Sequence, residues 1–183
     1  MGTNHTYFIG TPLFGSEKAA ADRNQFFENV QEMDAVMIER WNRVVRPCDH
    51  VIVVGTLNVG NKEFARKLLD ELNGSIRVCQ AHPGGVKPSD HNSIIGVHDT
   101  YRFYNRDEDA AFPGVWVNYW PQVNWPSRVS GWLHVHGGFA GEVPDHFNPS
   151  QNRFNVSAQL LDFRPIGYGE LAEYYKPFEG AKS

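Results

Sequence analysis

Four consecutive β-branched residues, Val51-Ile52-Val53-Val54, run into Gly55 and set the first constraint on the fold. A strand with one wet face alternates apolar and polar side chains, whereas an uninterrupted apolar run belongs to a strand covered on both faces. Such a strand needs a layer on each side. Amphipathic helices flank it in the chain. Over residues 30–45, Met33, Val36, Met37, Trp41 and Val44 recur at steps of three and four, and Pro47 lies just beyond. Over residues 62–72, Phe64, Leu68, Leu69 and Leu72 share one side, with Asn73-Gly74 as the stop. Residues 6–9 read as an opening strand ended by Gly10, Pro12 and Gly15, and residues 75–79 as a third. This alternation predicts a layered α/β fold.

The second half reads differently. Residues 115–119, 131–136 and 154–160 are expected strands, separated by turn-rich stretches at 121–126 and 144–149. After Leu72 only residues 169–175 suggest a helix, so the sheet is expected to be mixed or doubled. No repeat or low-complexity tract divides residues 1–183, which are expected to form one domain.

The composition narrows the functional classes. Seventeen Lys and Arg against 21 Asp and Glu give a net charge of −4, so the bulk charge offers no case for nucleic acid or an anionic membrane. No apolar run approaches the ~20 residues needed to cross a bilayer. No basic segment followed by an apolar stretch opens the chain, so no signal peptide is expected. Cys48 and Cys79 lack a CxxC spacing and read as free thiols, which together with the previous point predicts a cytoplasmic protein. Aromatic residues make up 13% of the chain, and Trp116, Tyr119, Trp120, Trp125 and Trp132 cluster. With Arg128 alone interleaved among them, the cluster is expected to serve packing rather than base stacking.

Ligand-type chemistry concentrates at His134-Val135-His136, where a two-residue step places both imidazoles on one side of a strand. That arrangement suits a metal or an oxyanion, or two structural histidines at a strand end. No GxSxG elbow, GxxxxGK[ST] loop or HExxH motif occurs.

Taken in order, several segments resemble the calcineurin-like metallophosphoesterase superfamily, and most closely its small single-domain bacterial and phage members. Tyr7-Phe8-Ile9 with Phe14-Gly15 resembles the family's opening strand and metal loop. Asp49-His50-Val51 through Gly55 resembles the strand leading to its GD motif, and Leu72-Asn73-Gly74 the lead-in to GNHD. Gly131-Trp132-Leu133-His134-Val135-His136-Gly137 is similar to its GHxH segment, and Phe163-Arg164-Pro165-Ile166 to its closing strand. The resemblance implies a layered α/β/β/α sandwich with mixed sheets and a centre of two divalent metals (Mn, Fe, Ni, Zn or Mg) that activates water for phosphoester hydrolysis.

Carried across residue by residue, that centre is largely substituted. The family's first Asp falls on Thr11, its His two positions later on Leu13, and its bridging Asp on Thr56. Ala81 and Pro83 replace the Asn and Asp of the third motif around His82, which matches the leaving-group histidine. Tyr119 stands at a further ligand histidine, so only His134 and His136 remain. Neutral hydroxyls cannot offset the charge of paired cations, and Leu13 offers no donor. The resemblance therefore implies a pseudo-phosphoesterase with no bound metal and no firm catalytic residue, acting by binding a partner such as a protein. Two readings stay open beside it. One is a divergent hydrolase of a nucleotide or other phosphomonoester, with a divalent metal held atypically and Asp90, His91, Asn92, His98 or Asp99 as substitute ligands. The other is a nucleotide-sensing protein that keeps the phosphate pocket.

Overall fold

The computed structural model describes residues 5–80, 86–104, 111–137, 147–148 and 152–173. The first half builds a sheet from β1 (Thr6–Gly10), β2 (His50–Val54), β3 (Ser75–Cys79) and β4 (Ile94–His98), all parallel. Helices α1 (Glu17–Asp22), α2 (Val30–Val44) and α3 (Lys62–Glu71) connect the first three strands. Each helix starts on a polar cap: Ser16 Oγ accepts from Ala19 N, Asn29 Oδ1 from Glu32 N and Asn61 Oδ1 from Phe64 N.

The second sheet takes β5 (Thr100–Tyr104), β6 (Gly114–Asn118), β7 (Leu133–His136), β8 (Phe147–Asn148) and β9 (Arg153–Asn155), in the order β5-β6-β7-β9-β8. Strands β6, β7 and β9 are parallel, while β5 and β8 run antiparallel at the edges. The chain then returns to the first sheet as β10 (Ile166–Gly167), antiparallel to β1, and ends the described region in α4 (Tyr168–Glu173). The protein is thus an α/β fold with two mixed sheets. Among the described residues no helix is long and apolar enough to cross a membrane.

The apolar run of β2 is explained by its position between two cores. Val51 and Val53 pack with Met33, Met37 and Trp41 of α2 and Leu68 and Leu69 of α3. Ile52 and Val54 face the other way, against Val115, Val117, Leu133, Val135 and Phe154 of the second sheet. At roughly 1.5–3 kcal/mol for each fully buried aliphatic side chain, both faces of this strand contribute to stability. Helix α2 is fastened by Trp41 Nε1, which donates to Asn73 O at 2.9 Å.

Two expectations need correction. The strand expected over 154–160 stops at Asn155. Asn155 Oδ1 accepts from Ser157 N at 3.0 Å, and the chain turns into a 3-10 helix at Ala158–Leu161. Strands β4 and β5 and helix α1 lie where no regular element was expected. Helix α4 packs beside β10 and β1, and on the outer face of the second sheet Trp116 and His134 meet Gln122 and Trp125 of the loop that follows β6.

Candidate functional site

The C-terminal ends of β1, β2, β7 and β9 meet at one apex. Gly10 N donates to Val156 O at 2.5 Å, and Thr11 N donates to Val54 O at 3.0 Å. The contact is backbone on backbone, and glycine permits it. A Cβ on Gly137 would stand 2.7 Å from Val54 O and 2.8 Å from the Cα of Gly10. Gly55, at φ +110°, lies under two other groups, for a Cβ there would meet Thr11 Oγ1 at 2.7 Å and the Tyr119 ring at 2.8 Å. Thr11, Gly55, Tyr119 and Gly137 are therefore neighbours, although the chain separates them widely.

Thr11 and Leu13 both adopt the left-handed region, at φ 48° and 62°. For a β-branched residue this is costly, on the order of 1–3 kcal/mol, and it persists only where the surroundings impose it. Arg23, 3% exposed, supplies the constraint: its guanidinium donates to Pro12 O at 2.9 Å and Thr11 O at 3.1 Å and lies over the Phe163 ring. Burial lowers its pKa from the ordinary value. Asp34 holds the far side of the loop, with both carboxylate oxygens accepting from Gly15 N at 3.0 Å. Burial raises the pKa of this carboxyl.

The expected ligand positions fall into distinct situations. Thr11 Oγ1 donates to Gly137 O at 2.8 Å, so its proton is committed to the opposite loop. Thr56 is exposed, and its carbonyl accepts from Leu13 N at 3.3 Å. Leu13 packs against the core on the helical side, and Tyr119 stands edge-to-face with Trp120. Ala81, His82 and Pro83 lie outside the described residues.

The two histidines of β7 differ sharply. His134, 0% exposed, donates from Nδ1 to Trp116 O at 3.2 Å and accepts at Nε2 from Gln122 N at 3.0 Å. Both nitrogens are engaged and the ring lies against Trp125, so His134 is a structural imidazole of fixed tautomer. Burial pushes its pKa down to about 4, against the pull of neighbouring carbonyls. His136, 1% exposed, has neither nitrogen hydrogen-bonded among the described residues. Burial, then the nearby His134, pushes its pKa down to about 3. An imidazole buried with no partner is uncommon and calls for a functional account.

The candidate substitute ligands do not gather here. Asp90 accepts from Lys87 N at 2.8 Å, while His91 pairs with Asp70 of α3 at 3.0 Å and Ser93 at 2.8 Å. His98 Nε2 lies 3.4 Å from Arg77, Asp99 offers its carbonyl to Asn118, and Asn92 is exposed. Among the described residues no group of three or more His, Cys, Asp or Glu side chains forms a metal site. Among the described residues, the positions carried over from the metal-binding family offer few ligands: the Thr11 hydroxyl is spent on a backbone carbonyl, Leu13 is apolar, and the His134 imidazole is fully engaged. Arg23, Asp34 and Gln122 are not marked by any motif, because each acts through a backbone hydrogen bond to a segment 11, 19 or 12 residues away in the chain.

No family model matches the chain. It is 27% identical over 171 residues to the uncharacterized protein MJ1445 of Methanocaldococcus jannaschii, covering 91% of this chain and 88% of that protein. Its fold is similar to the crystal structure of the protein of unknown function AQ665 from Aquifex aeolicus. That likeness has a TM-score of 0.67, covers 94% of this chain and all of the other, and comes with 14% sequence identity. It is a likeness of fold.

Proposed function

We propose that this chain is a metallophosphoesterase-like protein that has lost its dinuclear centre and works by binding a partner. The two stacked mixed sheets, with their parallel strands ending at one apex, support the family reading. The observation that carries the loss is the Thr11 hydroxyl. At the position of the family's first metal-binding carboxylate it donates to Gly137 O at 2.8 Å, where backbone meets backbone at Gly10, Val54 and Gly137. With Leu13 and Tyr119 apolar or aromatic at two further positions, no carboxylate among the described residues at these positions compensates the charge of paired cations. A panel of p-nitrophenyl phosphate mono- and diesters, assayed with Mn, Fe, Ni, Zn and Mg, tests this reading. It expects no turnover above buffer with any metal, and metal-dependent turnover contradicts it.

His136 favours a second reading. A buried imidazole with both nitrogens unpartnered among the described residues is suited to bind a phosphate oxygen or carry a proton, as in a divergent hydrolase or a nucleotide-sensing protein. That reading expects a phosphomonoester to raise the melting temperature of the native chain and to lose the effect in His136→Phe.

A further inference from the structure

The loop after β2 holds a buried amide with no partner for its oxygen. This loop runs from the carboxyl end of a parallel strand into α3, the place where open α/β sheets put ligands. Between it and residues 86–90 lies a cleft of about 470 Å³. Ala65 and Val86, each 5% exposed, give the cleft an apolar wall. Asn58 lines it too and is 6% exposed. Its Nδ2 donates to Gly60 O at 3.5 Å, and Gly60 lines the same cleft, so the amide lies along the wall. Asn58 Oδ1 accepts no hydrogen bond among the described residues. A buried acceptor without a donor is costly and marks a place for an N–H or O–H group. At the mouth stand two lysines and the N-terminus of α3. Asn61 Oδ1 caps Phe64 N at 2.9 Å, which leaves the N–H groups of Lys62 and Glu63 without an intrahelical acceptor at the positive end of the helix. Asp90 Oδ2 accepts from Lys87 N at 2.8 Å and its Oδ1 lies 3.8 Å from Lys62 Nζ, so this carboxylate offsets one of the two ammonium charges. Glu63 pairs instead with Lys67, one turn along α3, at 2.9 Å. Residues 81–85, just before Val86, are Ala-His-Pro-Gly-Gly and bring no acid.

We propose that this cleft binds a sugar phosphate, either free or as the ribose phosphate of a mononucleotide. A helix N-terminus with free N–H groups and two ammonium groups receives a phosphate. The orphan oxygen then decides what the phosphate carries. A bare phosphate dianion or a carboxylate offers acceptors alone and leaves Asn58 Oδ1 unmet. An ammonium donor would be repelled by Lys62 and Lys87. A sugar hydroxyl is neutral and donates, and its carbon skeleton suits the wall of Ala65 and Val86. The volume lies in the range of small-molecule sites. This inference goes beyond the reading of the apex and does not depend on whether a metal binds there.

The test is isothermal titration calorimetry of the native full chain with ribose 5-phosphate, adenosine 5′-monophosphate, inorganic phosphate and ribose. The proposal expects saturable binding of ribose 5-phosphate that weakens with added salt, is about fivefold tighter than that of inorganic phosphate, and is absent for ribose. Tighter binding of the nucleotide than of ribose 5-phosphate assigns the cleft to nucleotides, and equal or weaker binding to free sugar phosphates. The double variant Lys62→Ala, Lys87→Ala should lose about tenfold or more in affinity for the esters and for inorganic phosphate alike. Asn58→Leu should instead erase the preference for the esters and leave inorganic phosphate unchanged. The two lysines are exposed, so the double variant keeps its fold; should Asn58→Leu fail to fold, the preference for ribose 5-phosphate over inorganic phosphate in the native chain carries the same information. The proposal is overturned if neither ester binds at millimolar concentration, if inorganic phosphate binds as tightly as both, or if the lysine double variant binds like the native chain. Binding lost in His136→Phe and kept in the lysine double variant would place the phosphate at the apex, and that too overturns it.

Discussion

Replacing His136 by Phe should remove about half of the fold's histidine-linked acid sensitivity without weakening it at neutral pH. His136 and His134 are both buried and neutral, with pKa values pushed from 6.5 down to about 3 and about 4. In the unfolded chain each regains its ordinary value. The unfolded state then binds more protons below about pH 6.5, so stability is complete above that pH and falls as pH falls toward the native values. Between pH 7.5 and 5 each histidine costs about 2 kcal/mol, from ~1.4 kcal/mol per unit over the interval below 6.5. The pair together costs about 4 kcal/mol, a large share of the 5–15 kcal/mol typical of a domain. The two differ at pH 7.5. His136 loses no hydrogen bond on conversion to Phe, so His136→Phe should be neutral or slightly stabilising there. His134→Phe strands Gln122 N and Trp116 O and should cost about 1–3 kcal/mol. Urea unfolding of the native chain and both variants at pH 7.5 and 5.0 measures all of this. The reasoning is refuted if His136→Phe costs more than ~2 kcal/mol at pH 7.5, or if it leaves the difference between the two pH values unchanged.

Gly137→Ala drives a Cβ into Val54 O and the Cα of Gly10, where only backbone can yield; a loss of about 1–3 kcal/mol in denaturant unfolding is expected. Arg23→Met removes the donors that hold the Thr11–Leu13 turn. Proteolysis near residue 12 should accelerate while the helix content seen by circular dichroism persists. Asp49 is fully buried, and its carboxyl is held well below the usual range chiefly by Arg46, with burial opposing. Its contribution is complete above about pH 4 and is lost as pH falls further, so Asp49→Asn should flatten the acid limb of stability below pH 4.

The layered architecture was legible in the chain because β2 is apolar from Val51 to Val54 and α2 and α3 keep strict helical spacing. Strand β5 was not. Tyr101 and Phe103 face the core, but Tyr104 occupies the outward phase, so hydrophobicity does not alternate although burial does. In β4, Gly96 interrupts an otherwise apolar run. The substituted ligand positions could be read one by one, whereas their relation could not. Thr11 meets Gly137 across 126 residues of chain, and nothing local to either announces it. The two histidines of β7 look equivalent in sequence, yet one is saturated by a loop twelve residues away and the other has no partner among the described residues. In linear order Arg128 alone stands among the tryptophans. Strand pairing interleaves Arg102 and Arg153 with them.

Elemental analysis of the native chain, purified without chelator from medium containing Mn, Fe, Ni and Zn, bears most directly on the loss of the dinuclear centre. The account predicts metal far below one equivalent per chain and no retention after dialysis against the same ions. Stoichiometric metal that survives dialysis would contradict it.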